Sequence, residues 1–310
     1  MITFGIVLSY AVSYVFSGVL KFVPFMLPVG FSLIQIVLMY TLYNRESPTF
    51  LWMNQQKDLA VDLINSLYFE NEMDSEAIRE VFEEIDFSRS QIKNDFKSLF
   101  RDPRSSKALR MGCIVSVLQQ LVGINMIIFY STTLFKGGSE PEVATIITGG
   151  VNCLSSALLI FILDSKIYLE MGNRKMLQIG AFGMFLCYAG LIPIQVIDGI
   201  SNYLQIPLVC LFLVFFEVSI GPIMWIYCAD ILSEKGVAIT SSLNWLTTSL
   251  VTLVSGLFLS NDNRIQNLVL FSIFCFFCLV LLWFSRYKLA EKSEMETEDA
   301  FIKKSEISRE

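Results

Sequence analysis

Eight stretches of this 310-residue sequence contain no Asp, Glu, Lys or Arg: residues 1–20, 22–44, 111–135, 143–163, 176–197, 199–216, 236–261 and 265–285. At 1.5 Å rise per residue, about 20 such residues cross the ~30 Å hydrocarbon core of a bilayer. The 199–216 run continues past Glu217 into residues 218–229, so one span carries a carboxylate at membrane depth. Composition agrees, because charged residues make up 17% against the roughly 25% of a soluble domain that must face water on every side. The chain reads as an all-α polytopic membrane protein whose principal partner is the lipid bilayer. The N-terminal MITFGIVLSYAVSYVFSGVL has neither a basic leader nor a small-residue cleavage site before Lys21, so it reads as a span.

The connections set the orientation. Those at 45–110, 164–175 and 230–235, with the C-terminal tail, fall on one side and hold nearly all Lys and Arg, while the other side holds Lys21, Lys136 and Arg264. The positive-inside rule then places both termini in the cytoplasm. Residues 45–110 form the one large soluble piece. Within it, 58–69 and 74–85 space their apolar residues as short amphipathic helices, and Asp102-Pro103 ends the section. The mixed-charge tail reads as disordered.

Several function classes are excluded. Histidine is absent, which removes imidazole catalysis and His metal ligation. No nucleophile–base constellation and no metal cluster is evident, so no enzyme activity, metal or other cofactor is expected. A net charge of −6 argues against a nucleic-acid partner. All seven cysteines lie in apolar stretches and read as small buried hydrophobes. Gly149, Gly150, Gly180, Gly183 and Gly256 lie inside spans, where small residues allow helices to approach closely.

Polar residues within the spans are the candidates for function. Gln119, Gln120 and Asn125 lie in the third span, with Gln120 and Asn125 about 140° apart on a straight helix, and Gly123 between them permits local unwinding. Neutral amides donate and accept, which suits sugar hydroxyls; ordinary interhelical hydrogen bonding is the competing role. Asn152 repeats the situation in the fourth span. Glu217 needs a partner or a proton. Gly221-Pro222 follows it and can interrupt the helix, exposing backbone groups that require a cavity or a neighbour. Trp225 and Trp245 can floor a sugar ring, with Asn244 beside the second; packing or interfacial anchoring is the alternative.

These motifs bring a family into view. QQLVGIN (Gln119–Asn125) and FYST (Phe129–Thr132) resemble the seventh-span signature of the sugar porters of the major facilitator superfamily. Glu46-Ser47-Pro48 resembles the signature after span six, FFEVSIGPIMW (Phe215–Trp225) that of span ten, and Asn244-Trp245 the pair of span eleven. The resemblance runs from residue 2 to about 292. It implies a major facilitator fold lacking the first four of twelve spans. Residues 1–44 would be the last two spans of an N-terminal half and 45–110 a cytoplasmic linker with short helices. Residues 111–288 would be the six-helix C-terminal half, and 289–310 a cytoplasmic tail.

It also implies a substrate-binding set of Gln119, Gln120, Asn125, Asn152, Glu217, Trp225 and Asn244, and a gating or signature set. The latter comprises Glu46, Gly172, Arg174, Gly221, Pro222, Lys235, Trp245 and Glu291. The implied activity is facilitative alternating-access transport of a hexose, glucose first, in the plasma membrane. The missing N-terminal half or a second copy would be the protein partner. The alternatives are a non-transporting sugar-binding or sensor-like protein and a proton-coupled symporter. The chain departs from the pattern at Leu169 and Asn173 of the loop motif. It departs again at Ser219, Ile220 and Met224 around the tenth-span bend, and at the partial signature Lys288–Glu291.

Overall fold

The computed structural model describes residues 2–16, 22–42, 44–67, 78–80, 82–83, 96–135, 140–163, 166–197, 202–260 and 263–284. The chain divides into two bodies, one of residues 1–21 with 102–310 and one of residues 22–101.

The larger body is a helix bundle. Its helices are α1 (Ile2–Val15), α6 (Pro103–Leu121), α7 (Ile124–Leu134), α8 (Pro141–Leu163), α9 (Lys166–Val196), α10 (Gln205–Glu217), α11 (Ile220–Ile231), α12 (Glu234–Ser260) and α13 (Arg264–Phe284). The main packing pairs are α9 with α13 and α10, α12 with α6, and α8 with α1 and α10. The core is a continuous apolar cluster that includes Met126, Met184, Phe212, Ile223 and Cys275. All seven cysteines are free thiols, and Cys187, Cys228, Cys275 and Cys278 are buried, as expected of small apolar fillers.

Among the described residues, seven segments are long and apolar enough to cross a membrane, two of them built from helix pairs, Ser105–Leu134 and Gln205–Ile231. The first charge-free run, 1–20, contributes the 14-residue α1, with residues 17–21 outside the described set. The helix that carries the third span begins eight residues earlier than the charge-free run, at Pro103. Asp102 caps α6, its carboxylate accepting from the Ser105 N–H at 2.7 Å, and Pro103 follows where its missing N–H is harmless. Asp102-Pro103 therefore ends the soluble section and starts the span.

Glycine allows close helix approach at Gly180 and Gly183. A Cβ on Gly180 would lie 1.8 Å from Ser219 Oγ, and one on Gly183 2.5 Å from the Phe215 ring. Gly149 likewise accepts the Tyr10 ring of α1, but Gly150 faces open space, since it points away from that contact. Gly172 has φ 70° and divides α9 into two helical pieces, a conformation that favours glycine.

The smaller body holds α2 (Val23–Thr41), α3 (Pro48–Met53), α4 (Lys57–Leu67) and α5 (Phe96–Arg101). None of α2 is buried against protein, as suits an apolar helix whose solvent is lipid. Ser47 caps α3 by accepting from the Phe50 N–H. Around α3 and α4 the smaller body has a small core of its own, of Trp52, Ala60, Val61, Ile78 and Phe82. Trp52 stacks on Phe82 at 4.6 Å, and Lys57 sits 4.5 Å over the Trp52 ring. The 58–69 amphipathic segment is α4; most of 74–85 lies outside the described residues.

Candidate functional site

Two spans of the larger body break partway along their length, and the site is built from the breaks. In the first, α6 stops at Leu121 and α7 resumes at Ile124, because Gly123 takes the left-handed conformation at φ 85°. A broken helix leaves carbonyls without their usual partners, and in lipid they must find others. The Val122 carbonyl accepts from Tyr188 Oη at 2.9 Å, and Cys275 Sγ lies 3.7 Å away. A Cβ at 123 would stand 2.6 Å from Tyr188 Oη and 2.7 Å from the Phe271 ring, so glycine is required for space as well as for φ.

The second break separates α10, ending at Glu217, from α11, beginning at Ile220. Beside it, the first turn of α11 takes two additional bonds from a side chain of α6. Gln119 Nε2 donates to the Gly221 carbonyl at 2.6 Å and to the Ile220 carbonyl at 3.3 Å. Ser219 Oγ donates to the Phe215 carbonyl at 2.5 Å. The serine, a departure from the sugar-porter pattern, fits because position 180 of α9 has no side chain.

From Gln119 the network spreads through three more amides. Gln120 Nε2 donates to Gln119 Oε1 at 3.2 Å and to Asn244 Oδ1 at 3.1 Å. Asn244 Nδ2 donates to Gln119 Oε1 at 2.7 Å and to the Ser116 carbonyl at 3.0 Å. Asn125 Nδ2 donates to Gln120 Oε1 at 2.5 Å. The kink at Gly123 thus unites two residues that a straight helix would hold about 140° apart.

A primary amide has two N–H donors. Gln119, Gln120 and Asn244 have each spent both, and all three are buried. Asn125 is half-buried and has spent one; its other N–H and its carbonyl oxygen make no hydrogen bond to a described residue. Replacing Gln120 therefore removes three hydrogen bonds of the ring along with any contact to a ligand.

Asn152 and Glu217 form a second group. Asn152 on α8 is 2% exposed, and its Oδ1 has no hydrogen-bond partner among the described residues. Glu217 closes α10 and accepts from Ser156 Oγ of α8 at 2.8 Å. Trp225 and Trp245 are 42% and 62% exposed, presenting broad apolar faces rather than core packing. Of the signature residues, Gly221 takes the Gln119 bond, Pro222 follows it in α11, and Gly172 interrupts α9. Glu46 is exposed just before α3 in the smaller body, and Lys235 lies in the first turn of α12. The Arg174 side chain and Glu291 lie outside the described residues.

The chain matches the family described as "Sugar (and other) transporter" over residues 1–300. It belongs to that family. Similar relatives include the glucose transporter GlcP of Staphylococcus epidermidis, 28% identical over 83% of this chain and 56% of that protein. The facilitated glucose transporter member 3 of Canis lupus familiaris is 30% identical over 93% of this chain and 59% of that one. The chain spans about half the length of the curated relatives it matches. Among solved structures, the partially occluded inward-open xylose transporter XylE from E. coli superposes with a TM-score of 0.73 at 21% identity. That match covers 94% of this chain and 62% of XylE. The same protein bound to 6-bromo-6-deoxy-D-glucose gives 0.72 at 20% identity. The fold is that of the major facilitator superfamily, and the family and its structural neighbours are membrane transporters rather than enzymes.

Within the sugar transporter family's motifs, sequence reasoning singled out the amides but missed their supports. Ser116 lies one residue-triplet before Gln119, Tyr188 reaches the break from α9, and Ser156 is one turn beyond Asn152. Ser156 carried a signal, since positions three or four apart share a helix face, whereas Ser116 takes part through its backbone carbonyl, which no side-chain pattern reveals. Tyr10 of α1 was also unforeseen. Its Oη donates to the Ile128 carbonyl at 2.5 Å, beside the irregular backbone of Tyr130 in α7.

Proposed function

We propose that this chain carries the sugar-binding side of a facilitative hexose transporter, with glucose as the first substrate to test. The observation that carries it is the meeting of Gln119, Gln120, Asn125 and Asn244 at two helix breaks. Such neutral amides can exchange bonds with one another for bonds with sugar hydroxyls at little net cost, so binding and release stay reversible. Asn152, Glu217 and the exposed face of Trp225 complete the site. Residues 1–44 act as the last spans of an N-terminal half, 45–110 as a cytoplasmic linker, 111–288 as the C-terminal half and 289–310 as a tail. Glu46, Gly172, Arg174, Gly221, Pro222, Lys235, Trp245 and Glu291 serve gating, the protein sits in the plasma membrane with both termini cytoplasmic, and an N-terminal half or a second copy closes the path.

Radiolabelled glucose uptake into proteoliposomes holding this 310-residue chain tests the proposal. Saturable uptake, competed by unlabelled hexose, is the expected result. A second reading draws on the fact that three of the four amides already spend every N–H on protein. Under it the chain is a sugar-binding or sensor-like protein, or a membrane scaffold. Glucose binding without uptake supports the first of these; neither binding nor uptake from folded protein supports the last.

A further inference from the structure

We propose that Tyr10 of α1 is a positioning residue for transport: through the Ile128 carbonyl it holds the start of α7, and with it the Asn125 amide. The inference rests on the hexose reading above and adds a residue that acts through α7 rather than on the sugar.

The middle of α7 departs from helical geometry. Tyr130 has φ −117° and ψ 16°. Two residues before it, the Ile128 carbonyl accepts from Tyr10 Oη at 2.5 Å and from Ser131 Oγ at 3.3 Å. A backbone oxygen has two lone pairs, and two hydroxyls are placed to fill both. The hold on α7 at this point therefore comes from side chains, one of them on another helix. In the hydrocarbon region no water stands in for a missing donor.

The ring fixes where that donor stands. Tyr10 lies against α8 at Gly149, where a Cβ would come within 2.8 Å of the ring and 3.6 Å of Val7 Cγ2, one turn earlier on α1. Only the missing side chain gives the ring its seat. Tyr130 repeats the arrangement toward α12: its Oη donates to the Thr252 carbonyl at 3.2 Å, and a Cβ at Gly256 would stand 2.6 Å from that oxygen. Two tyrosines seated at glycines thus fasten α7 to its neighbours, and Tyr10 is the one that α1 contributes.

Ile128 is three residues beyond Asn125, so the two are neighbours on one face of α7. Asn125 is joined to the amide network by a single bond to Gln120. Its direction is set by the backbone that carries it, and on the near side that backbone hangs on the left-handed joint at Gly123. Tyr10 supplies the hold on the far side. Without its hydroxyl the turn moves about the joint and Asn125 spreads over several poses, which weakens binding while every sugar-contacting group remains in place.

Glucose affinity and melting temperature of the full chain in nanodiscs are measured for Tyr10→Phe, Tyr188→Phe, Gly149→Ala and Gly150→Ala. Tyr10→Phe keeps the ring and removes one hydroxyl-to-carbonyl bond, as Tyr188→Phe does at Val122. Similar falls in melting temperature are expected. Glucose should nevertheless bind about fivefold more weakly to Tyr10→Phe, the worth of one hydrogen bond, and within about twofold of wild type to Tyr188→Phe. Gly149→Ala pushes the ring from its seat and should weaken binding at least as much, whereas Gly150→Ala, which faces open space, should leave it unchanged.

Unchanged affinity in Tyr10→Phe overturns the inference and leaves the hexose reading standing. An equal loss in Tyr188→Phe overturns it too, because both tyrosines are then packing residues. Should Tyr10→Phe fail to fold, Gly149→Ala against Gly150→Ala decides, and equal affinities of that pair count against the inference. Absence of glucose binding by folded wild-type chain defeats the hexose reading and this inference with it.

Discussion

The two helix breaks solve one problem in different ways. At Val122–Gly123 the break is written into the backbone, since a left-handed glycine turns the chain and Tyr188, a residue outside the amide network, satisfies the freed carbonyl. At Val218–Ser219 no residue has a positive φ; the Phe215 carbonyl at the α10 end accepts from Ser219 Oγ, and the first turn of α11 takes two additional bonds from Gln119, a member of the network itself. The first break is therefore fixed by structure and the second is coupled to the site. Anything that draws the Gln119 amide toward a ligand must release the α11 end, and whatever moves that end alters the amide ring.

The comparison can be broken most severely at the first break. Gly123→Ala places a Cβ against Tyr188 and Phe271 and forces left-handed backbone at about 1–2 kcal/mol, with overpacking adding about 1–3 kcal/mol. Loss of monodisperse protein in fluorescence-detected size-exclusion chromatography is expected; a normal profile shows that the break does not need glycine. Gly180→Ala pushes against Ser219 at the second break and should destabilise by about 1–3 kcal/mol. Adding Ser219→Gly should recover most of the loss, read as a melting temperature in detergent. Independent, additive effects would mean the two positions do not share the contact.

Smaller effects separate the breaks more sharply. Gln119→Leu removes both extra bonds to the first turn of α11 and takes the Gln119 oxygen from Gln120 and Asn244, so about 1–3 kcal/mol of stability and sugar binding should be lost together. Tyr188→Phe removes one bond to Val122 and should cost about 1 kcal/mol of stability while sugar affinity stays within about twofold. If Tyr188→Phe weakens binding as much as Gln119→Leu does, the division into a fixed and a coupled break fails. Trp225→Leu should change stability least, because the ring is 42% exposed, and weaken sugar binding by about 0.5–1.5 kcal/mol through lost ring contact. A fall in folded yield alone would make Trp225 a packing residue.

Much of this was legible in the sequence. Charge-free runs located the spans because lipid tolerates few ionised groups, and Asp102-Pro103 marked a boundary because capping chemistry is local. Gln119, Gln120, Asn125 and Gly123 stood out together in one short motif. Their geometry did not. A straight-helix projection separates Gln120 from Asn125, and only the observed break joins them. Gly150 resembled its neighbour Gly149 in sequence, yet one meets Tyr10 and the other meets nothing, because one residue of helix rotation moves a position by about 100°.

The sequence by itself determined that this chain spans a membrane as helices and belongs among the sugar transporters. Composition and local motifs are sufficient for both. The tertiary structure decided which polar groups are spent and which remain available. Gln119 finds its carbonyls about a hundred positions away, Asn244 reaches back to Ser116 and Glu217 to Ser156. Hydrogen bonds are short and directional, so their partners depend on the rotation and depth of each packed helix, and no local pattern in the chain specifies these.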